Sequence, residues 1–278
     1  MSASASPRDR FAAAVQRDDA AIDLAAAALL IAAEAYPGLD VAHYTAQLDA
    51  LADATRAAVE RAGSDLERAH ALVRGLAVEQ RFAGNRGDYY DRRNSFLNDV
   101  LDRRLGIPIT LALVYIEVGR RLGLPVVGVG FPGHFLAKLA GERDIVLDPF
   151  CGEILDEAAC DERLKQVAGA QATFDARLLR GAGVREILVR MLRNLKQIHL
   201  QARELEAALS CSDRMLLVEP GLAHELRDRG MLYLELECRA AARADLERFL
   251  ALAPNDPSAP RVQAALVALR RRGGATLH

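Results

Sequence analysis

The segment Ile109–Leu122 constrains the fold more than any other part of the chain. Leu111, Ala112, Leu113, Val114, Ile116 and Val118 put apolar side chains on nearly all sides of a helix, and such a helix must be covered all round by other elements. Pro108 stands near its first turn, where the missing N–H belongs to no intrahelical bond. Gly123 and Pro125 end it. Helical signals fill the chain before it, from about residue 8 to residue 104. There, Ser64-Asp65-Leu66-Glu67 fits a capping box and predicts a helix from Ser64 to about Phe82. Gly84-Asn85-Arg86-Gly87-Asp88 predicts a break, and Asn94 predicts an N-cap for a helix over Ser95–Arg104. After the apolar helix, Val126–Phe131, Phe135–Leu139 and Asp144–Leu147 are short, rich in β-branched or aromatic residues, and separated by glycine-containing turns. An antiparallel sheet packed on a buried helix makes this part an α+β domain.

From about Asp156 to the end the pattern is helical again. Pro220 and Pro254 lie 34 residues apart, the tetratricopeptide period. Superposing the two copies pairs Leu192 with Leu226, His199 with Tyr233, and Ala208 with Ala242. Gly230 supplies the small residue that close helix contact needs, whereas the first copy has Lys196 there. Ser258–Arg272 predicts a closing helix, basic at the C-terminal end where the helix dipole favours cations. Two copies are fewer than such an array needs alone, so the repeats are expected to lean on the preceding domain. The expected division is an α+β domain over residues 8–180 and an all-α repeat region over residues 181–272.

The formal net charge of −2 gives no electrostatic ground for a nucleic-acid partner or an anionic membrane. The apolar stretch Ala20–Ala35 is interrupted by Asp23 and preceded by Asp18 and Asp19, so it reads as neither a signal peptide nor a membrane span. Cys151, Cys160, Cys211 and Cys238 form no CxxC pair. Four free thiols in a reducing cytoplasm are the expectation.

The order Asn94-Ser95-Phe96-Leu97-Asn98, Arg104-Leu105-Gly106-Ile107-Pro108-Ile109-Thr110-Leu111, Gly133-His134-Phe135-Leu136 and Leu147-Asp148-Pro149-Phe150 resembles the bacterial SirB family of transglutaminase-like proteins, whose members carry C-terminal tetratricopeptide repeats. The resemblance runs from about residue 10 to the end and implies a papain-like arrangement of helices and a small sheet. In the wider superfamily a cysteine begins the buried helix, a histidine sits on a strand, and an aspartate precedes a proline. The helix N-terminus lowers the thiol pKa, the imidazole takes its proton and the carboxylate orients the imidazole. By this resemblance His134 and Asp148 match the histidine and aspartate, and the nucleophile position falls near Pro108–Thr110, where there is no cysteine. Thr110 offers a hydroxyl, which ionises far less readily than a thiol, and no N-terminal amine activates it. The resemblance therefore implies a non-catalytic protein that binds a polypeptide or protein partner through its cleft and repeats. The alternatives are a hydrolase or acyltransferase using His134–Asp148 as a general-base pair, and a structural adaptor in which the α+β part caps the repeats.

The candidate residues each admit two readings. His134 is either a structural histidine bonded to Asp148 or a binding or vestigial catalytic group. Asn94 and Ser95 cap a helix or line the cleft. Arg103 and Arg104 meet a helix dipole, form a buried ion pair or hold an anionic ligand. Tyr89-Tyr90-Asp91-Arg92-Arg93 is a recognition loop or aromatic packing at the domain edge. Tyr233 is the binding candidate on the repeats. Cys151 is expected to be small and partly buried. His134 and Asp148 give only two ligands of a metal set, so neither a metal nor another cofactor is expected.

Overall fold

The computed structural model describes residues 5–274, and the chain divides into two compact units, residues 1–191 and 192–278. The first unit begins with α1 (Pro7–Val15), α2 (Leu24–Ala35), α3 (Val41–Glu60) and α4 (Asp65–Val73). Ser64 caps α4 by accepting from the Glu67 N–H, but the Glu67 carboxylate reaches Gly63 N rather than Ser64 N. The predicted helix does not run unbroken to Phe82. Its ladder widens into a π turn over Arg74–Glu79, with Gln80 N bonding Gly75 O, which turns the chain toward β1 (Ala83–Gly84).

Next come α5 (Leu97–Arg103), β2 (Leu105–Gly106) and α6 (Pro108–Arg121). The two-residue strands β1 and β2 pair in parallel, Ala83 opposite Leu105 and Gly84 opposite Gly106. Asn94 does not cap α5. It lies in a 3-10 turn over Arg92–Ser95, and Phe96 occupies the cap position. The Asn94 side chain is drawn away to the preceding loop. At the other end of α5, Arg104 takes the left-handed conformation (φ 61°), and its carbonyl accepts Ala83 N. The chain thereby passes from helix directly into β2.

Helix α6 is the buried element: Leu111 to Tyr115 and Val118 are enclosed. It ends in a Schellman motif, with Leu124 N bonded to Gly119 O and Gly123 at φ 71°. Helices α2, α3 and α5 cover it on one side and the sheet on the other. The sheet comprises β3 (Val126–Val129), β4 (Leu136–Leu139), β5 (Ile145–Asp148), β6 (Glu153–Leu155) and, beyond α7 (Glu157–Ala168), β7 (Gly181–Ala182). Its order is β6-β5-β4-β3-β7, and every neighbour is antiparallel. Strand β7 falls in a stretch read as helical from sequence. With two residues, Gly181 and Ala182, it carries no periodic signal and exists through its pairing to Gly128 and Val129.

Helix α8 (Val184–Gln201) carries the division between the units. In the second unit follow α9 (Leu205–Val218), α10 (Ala223–Glu235), α11 (Arg239–Leu252) and α12 (Ala259–Gly274). The 34-residue period is visible in the backbone. Helix α11 begins and ends 34 residues after α9, and Arg203 and Glu237, also 34 apart, turn the two hairpins at φ 59° and 58°. Glu204 N bonds His199 O, and Cys238 N bonds Tyr233 O, both at 2.8 Å. Gly230 lets α10 meet α11, since a Cβ there would stand 2.7 Å from Leu246. At the matching place Lys196 is buried, its Nζ held by Glu225 at 2.7 Å and Asp228 at 3.1 Å.

Candidate functional site

Two local devices bring His134 to Asp148. Between β3 and β4, Pro132 and Gly133 form a tight turn closed by His134 N to Phe131 O, with Gly133 at φ 65°. At the end of β5 the chain folds over Asp148, whose Oδ1 accepts Phe150 N at 2.8 Å and Cys151 N at 3.2 Å. His134 Nε2 then lies 3.2 Å from both carboxylate oxygens. The His134 carbonyl accepts from Arg190, whose guanidinium lies over the Phe135 ring.

A residue that sequence reasoning missed completes this site. Arg163, on α7, donates to Asp148 Oδ2 at 2.7 Å and to Glu153 at 2.7 Å, and stands 4.0 Å from Cys151 Sγ. Nothing in the neighbouring sequence marks it, because it is an ordinary arginine within α7 until the fold sets that helix against Asp148. Burial works to raise the pKa of the fully enclosed Asp148, but the His134 hydrogen bond and charge, Arg163 and the Cys151 amide outweigh it. The net result holds the carboxyl below its ordinary range.

Asp148, Cys151 and Glu153 offer metal-ligand atoms within 4.8 Å of one another. Arg163 already bonds both carboxylates, so its guanidinium stands where a cation would be held.

Cys151 is exposed as a residue, not partly buried as expected, because it lies in the turn joining β5 to β6 rather than in a strand. Local enclosure of the thiol and the Asp148 charge raise its pKa. It is therefore at most a few per cent thiolate at neutral pH.

The start of α6, where the resemblance puts the superfamily nucleophile near Pro108–Thr110, is closed. Thr110 is fully buried, its hydroxyl donating to Asn94 O at 2.7 Å and accepting from Ile107 N at 3.2 Å. Asn94 is fully buried as well. Its Nδ2 donates to Asp88 O (2.7 Å) and Tyr89 O (3.2 Å), and its Oδ1 accepts from Asn85 (3.0 Å). The two residues thus fasten the 85–93 loop to the start of α6. Ser95 Oγ is buried with no hydrogen-bond partner among the described residues. Arg103 pairs with Asp91 at 3.4 Å.

Tyr89 meets Tyr90 edge-on and also Phe150, which in turn meets the His134 ring edge-on at 5.9 Å. The aromatic loop therefore adjoins the dyad. Arg104 takes no part in these contacts. The Arg104 guanidinium lies 4.7 Å over the Phe82 ring, with Nη1 buried and without a hydrogen-bond partner among the described residues, and burial lowers its pKa. Tyr233 belongs to the second unit, beneath an Arg229 that pairs with Asp245 and Asp213.

A family model described as the transglutaminase-like superfamily matches residues 42–193, and a tetratricopeptide-repeat model matches residues 195–267. Protein SirB1 of Salmonella typhimurium is 33% identical over 72% of this chain and 74% of its own length. The chain belongs to the SirB family. Other members are similar over more of the chain. A UPF0162 protein of Xylella fastidiosa is 41% identical over 91% of this chain and 92% of its own length, and a UPF0162 protein of Pseudomonas aeruginosa is 40% identical over 84% and 85%. In this SirB-family chain His134 lies against Asp148, and the Thr110 hydroxyl in the first turn of α6 is committed to the backbone. Among the described residues no helix is long and apolar enough to cross a membrane.

Proposed function

We propose that this chain is a non-catalytic transglutaminase-like protein that binds a polypeptide or protein partner through the surface around His134 and through its repeats, and that it does so in the cytoplasm. The observation carrying this reading is Thr110. A hydroxyl that donates to Asn94 O and accepts from Ile107 N inside a closed core has no approach to a substrate carbonyl. Cys151, the nearest thiol to Asp148, is held in its protonated form. A repeat region suits partner recognition. The test is photo-crosslinking in cells with p-benzoylphenylalanine in place of Tyr90 or Tyr233. A discrete adduct with a polypeptide is expected at one or both positions; absence of any adduct at both overturns the reading.

The assembled dyad supports a second reading, in which His134 acts as general base on water or a bound nucleophile. Against it, Asp148 is shared among Arg163, two backbone amides and the imidazole rather than dedicated to orienting His134.

A further inference from the structure

Beside the dyad, the fold spends several internal contacts on fixing side chains that it leaves exposed. Tyr90 is 65% exposed and Tyr89 42%, although both are large enough to be buried with profit. Their loop is not loose. Asn94 holds the carbonyls of Asp88 and Tyr89 from within the core, and Asn85 Oδ1 accepts Asp88 N. The floor beneath them is also rigid. Phe150 packs so closely on Gly84 that a Cβ there would stand 2.4 Å from its ring, and Gly84 N bonds Phe150 O.

Arg86 lies over this same ring, 5.4 Å from its centroid. It is exposed, its Nη2 approaches the neutral Cys151 thiol at 3.1 Å, and among the described residues no carboxylate pairs with it. Of the nearby acids, Asp91 is held by Arg93 and Arg103, and Asp148 and Glu153 by Arg163, while the exposed Asp88 in the same loop forms no ion pair with Arg86. A guanidinium stacked on an aromatic face loses little freedom when it takes a carboxylate in its fork. Exposed tyrosines and arginine are the residue types that anchor protein interfaces.

From this juxtaposition we infer that Arg86, Tyr89, Tyr90 and Phe150 form a docking surface for an acidic segment of a partner protein, an Asp or Glu side chain pairing with Arg86 and an adjacent apolar side chain packing on the two tyrosines. The inference rests on the polypeptide-binding reading above and adds the chemistry of what is bound. Charge complementarity selects the acidic occupant. A basic segment meets an unpaired guanidinium, and a purely apolar one leaves it desolvated and unbonded.

The test uses the full-length protein, immobilised, against a random twelve-residue library displayed on phage with each peptide's C-terminus fused to the coat protein. Only side-chain carboxylates are then available. Enriched peptides are synthesised and their affinities measured by fluorescence anisotropy. Wild type is expected to enrich Asp or Glu next to Leu, Phe or Tyr. Arg86→Glu should weaken those peptides at least tenfold, consistent with loss of a charge-assisted pair, and its own selection should shift to Lys or Arg. Tyr90→Ser should weaken them several-fold. Both sites are exposed, and unchanged thermal unfolding confirms the fold. Enriched peptides without acidic bias, or unaffected by Arg86→Glu, overturn the acidic-segment inference and leave the broader reading standing. No enriched peptide together with no crosslink at Tyr90 or Tyr233 overturns both.

Discussion

Asp148→Asn is expected to destabilise the first unit by about 3 kcal/mol at neutral pH. The wild-type carboxylate is fully enclosed and accepts from Arg163, His134 and the amides of Phe150 and Cys151. Asn keeps an acceptor for the two amides but brings no charge to Arg163. Removing one member of a buried ion pair costs about 3–5 kcal/mol. Arg163 keeps Glu153 and is 21% exposed, which places the loss at the lower end. At about 2–4 °C per kcal/mol for a unit of this size, the first unfolding transition should fall by roughly 6–12 °C. The pH dependence has a definite sign. The folded pKa of Asp148 is depressed below its unfolded value. Its contribution is therefore complete above about pH 5 and is lost as pH falls through the folded pKa. Thermal unfolding followed by circular dichroism from neutral pH into acid should show the gap between wild type and variant narrowing. A fall of less than about 2 °C near neutrality, or a gap that does not narrow in acid, refutes the argument.

Other perturbations probe separate parts of the account. Thr110→Val removes the bond to Asn94 O and one acceptor for Ile107 N; denaturant unfolding should report a loss of about 1–2 kcal/mol. Cys151 should alkylate slowly with iodoacetamide at neutral pH and faster as pH rises, because its thiol pKa is raised, while the buried Cys160 and Cys211 stay unlabelled until unfolding; rapid neutral labelling read by peptide mass spectrometry contradicts this. Gly230→Ala drives a methyl to within 2.7 Å of Leu246 and should destabilise the repeats by about 1–3 kcal/mol, visible as a lowered second transition with the first unmoved.

The parts of the fold legible in the sequence are those with a periodic or punctuated signal. Helix α6 announces itself by apolar residues on all sides between Pro108 and Gly123, and the repeats by the interval between Pro220 and Pro254. The parts that were not legible arise from tertiary pairing. Strands β1, β2 and β7 are two residues each and exist only through partners distant in sequence. Asn94 has the right chemistry for a helix cap, but a closer claim came from the carbonyls of Asp88 and Tyr89, which the sequence does not place beside it. The same limit applies at the site. His134 and Asp148 stood out by their neighbours Gly133 and Pro149, whereas Arg163 and Arg86 are ordinary arginines until β6, α7 and the 85–93 loop carry them to Cys151.

The central claim is that the assembled dyad does no acyl chemistry. The most direct measurement is turnover of p-nitrophenyl acetate and of a glutamine-containing peptide with hydroxylamine, comparing wild type with His134→Ala at matched fold. Equal, background-level rates in both proteins are predicted. Steady turnover by wild type that disappears in His134→Ala, with thermal unfolding unchanged, would contradict the account and establish the dyad as a working general base.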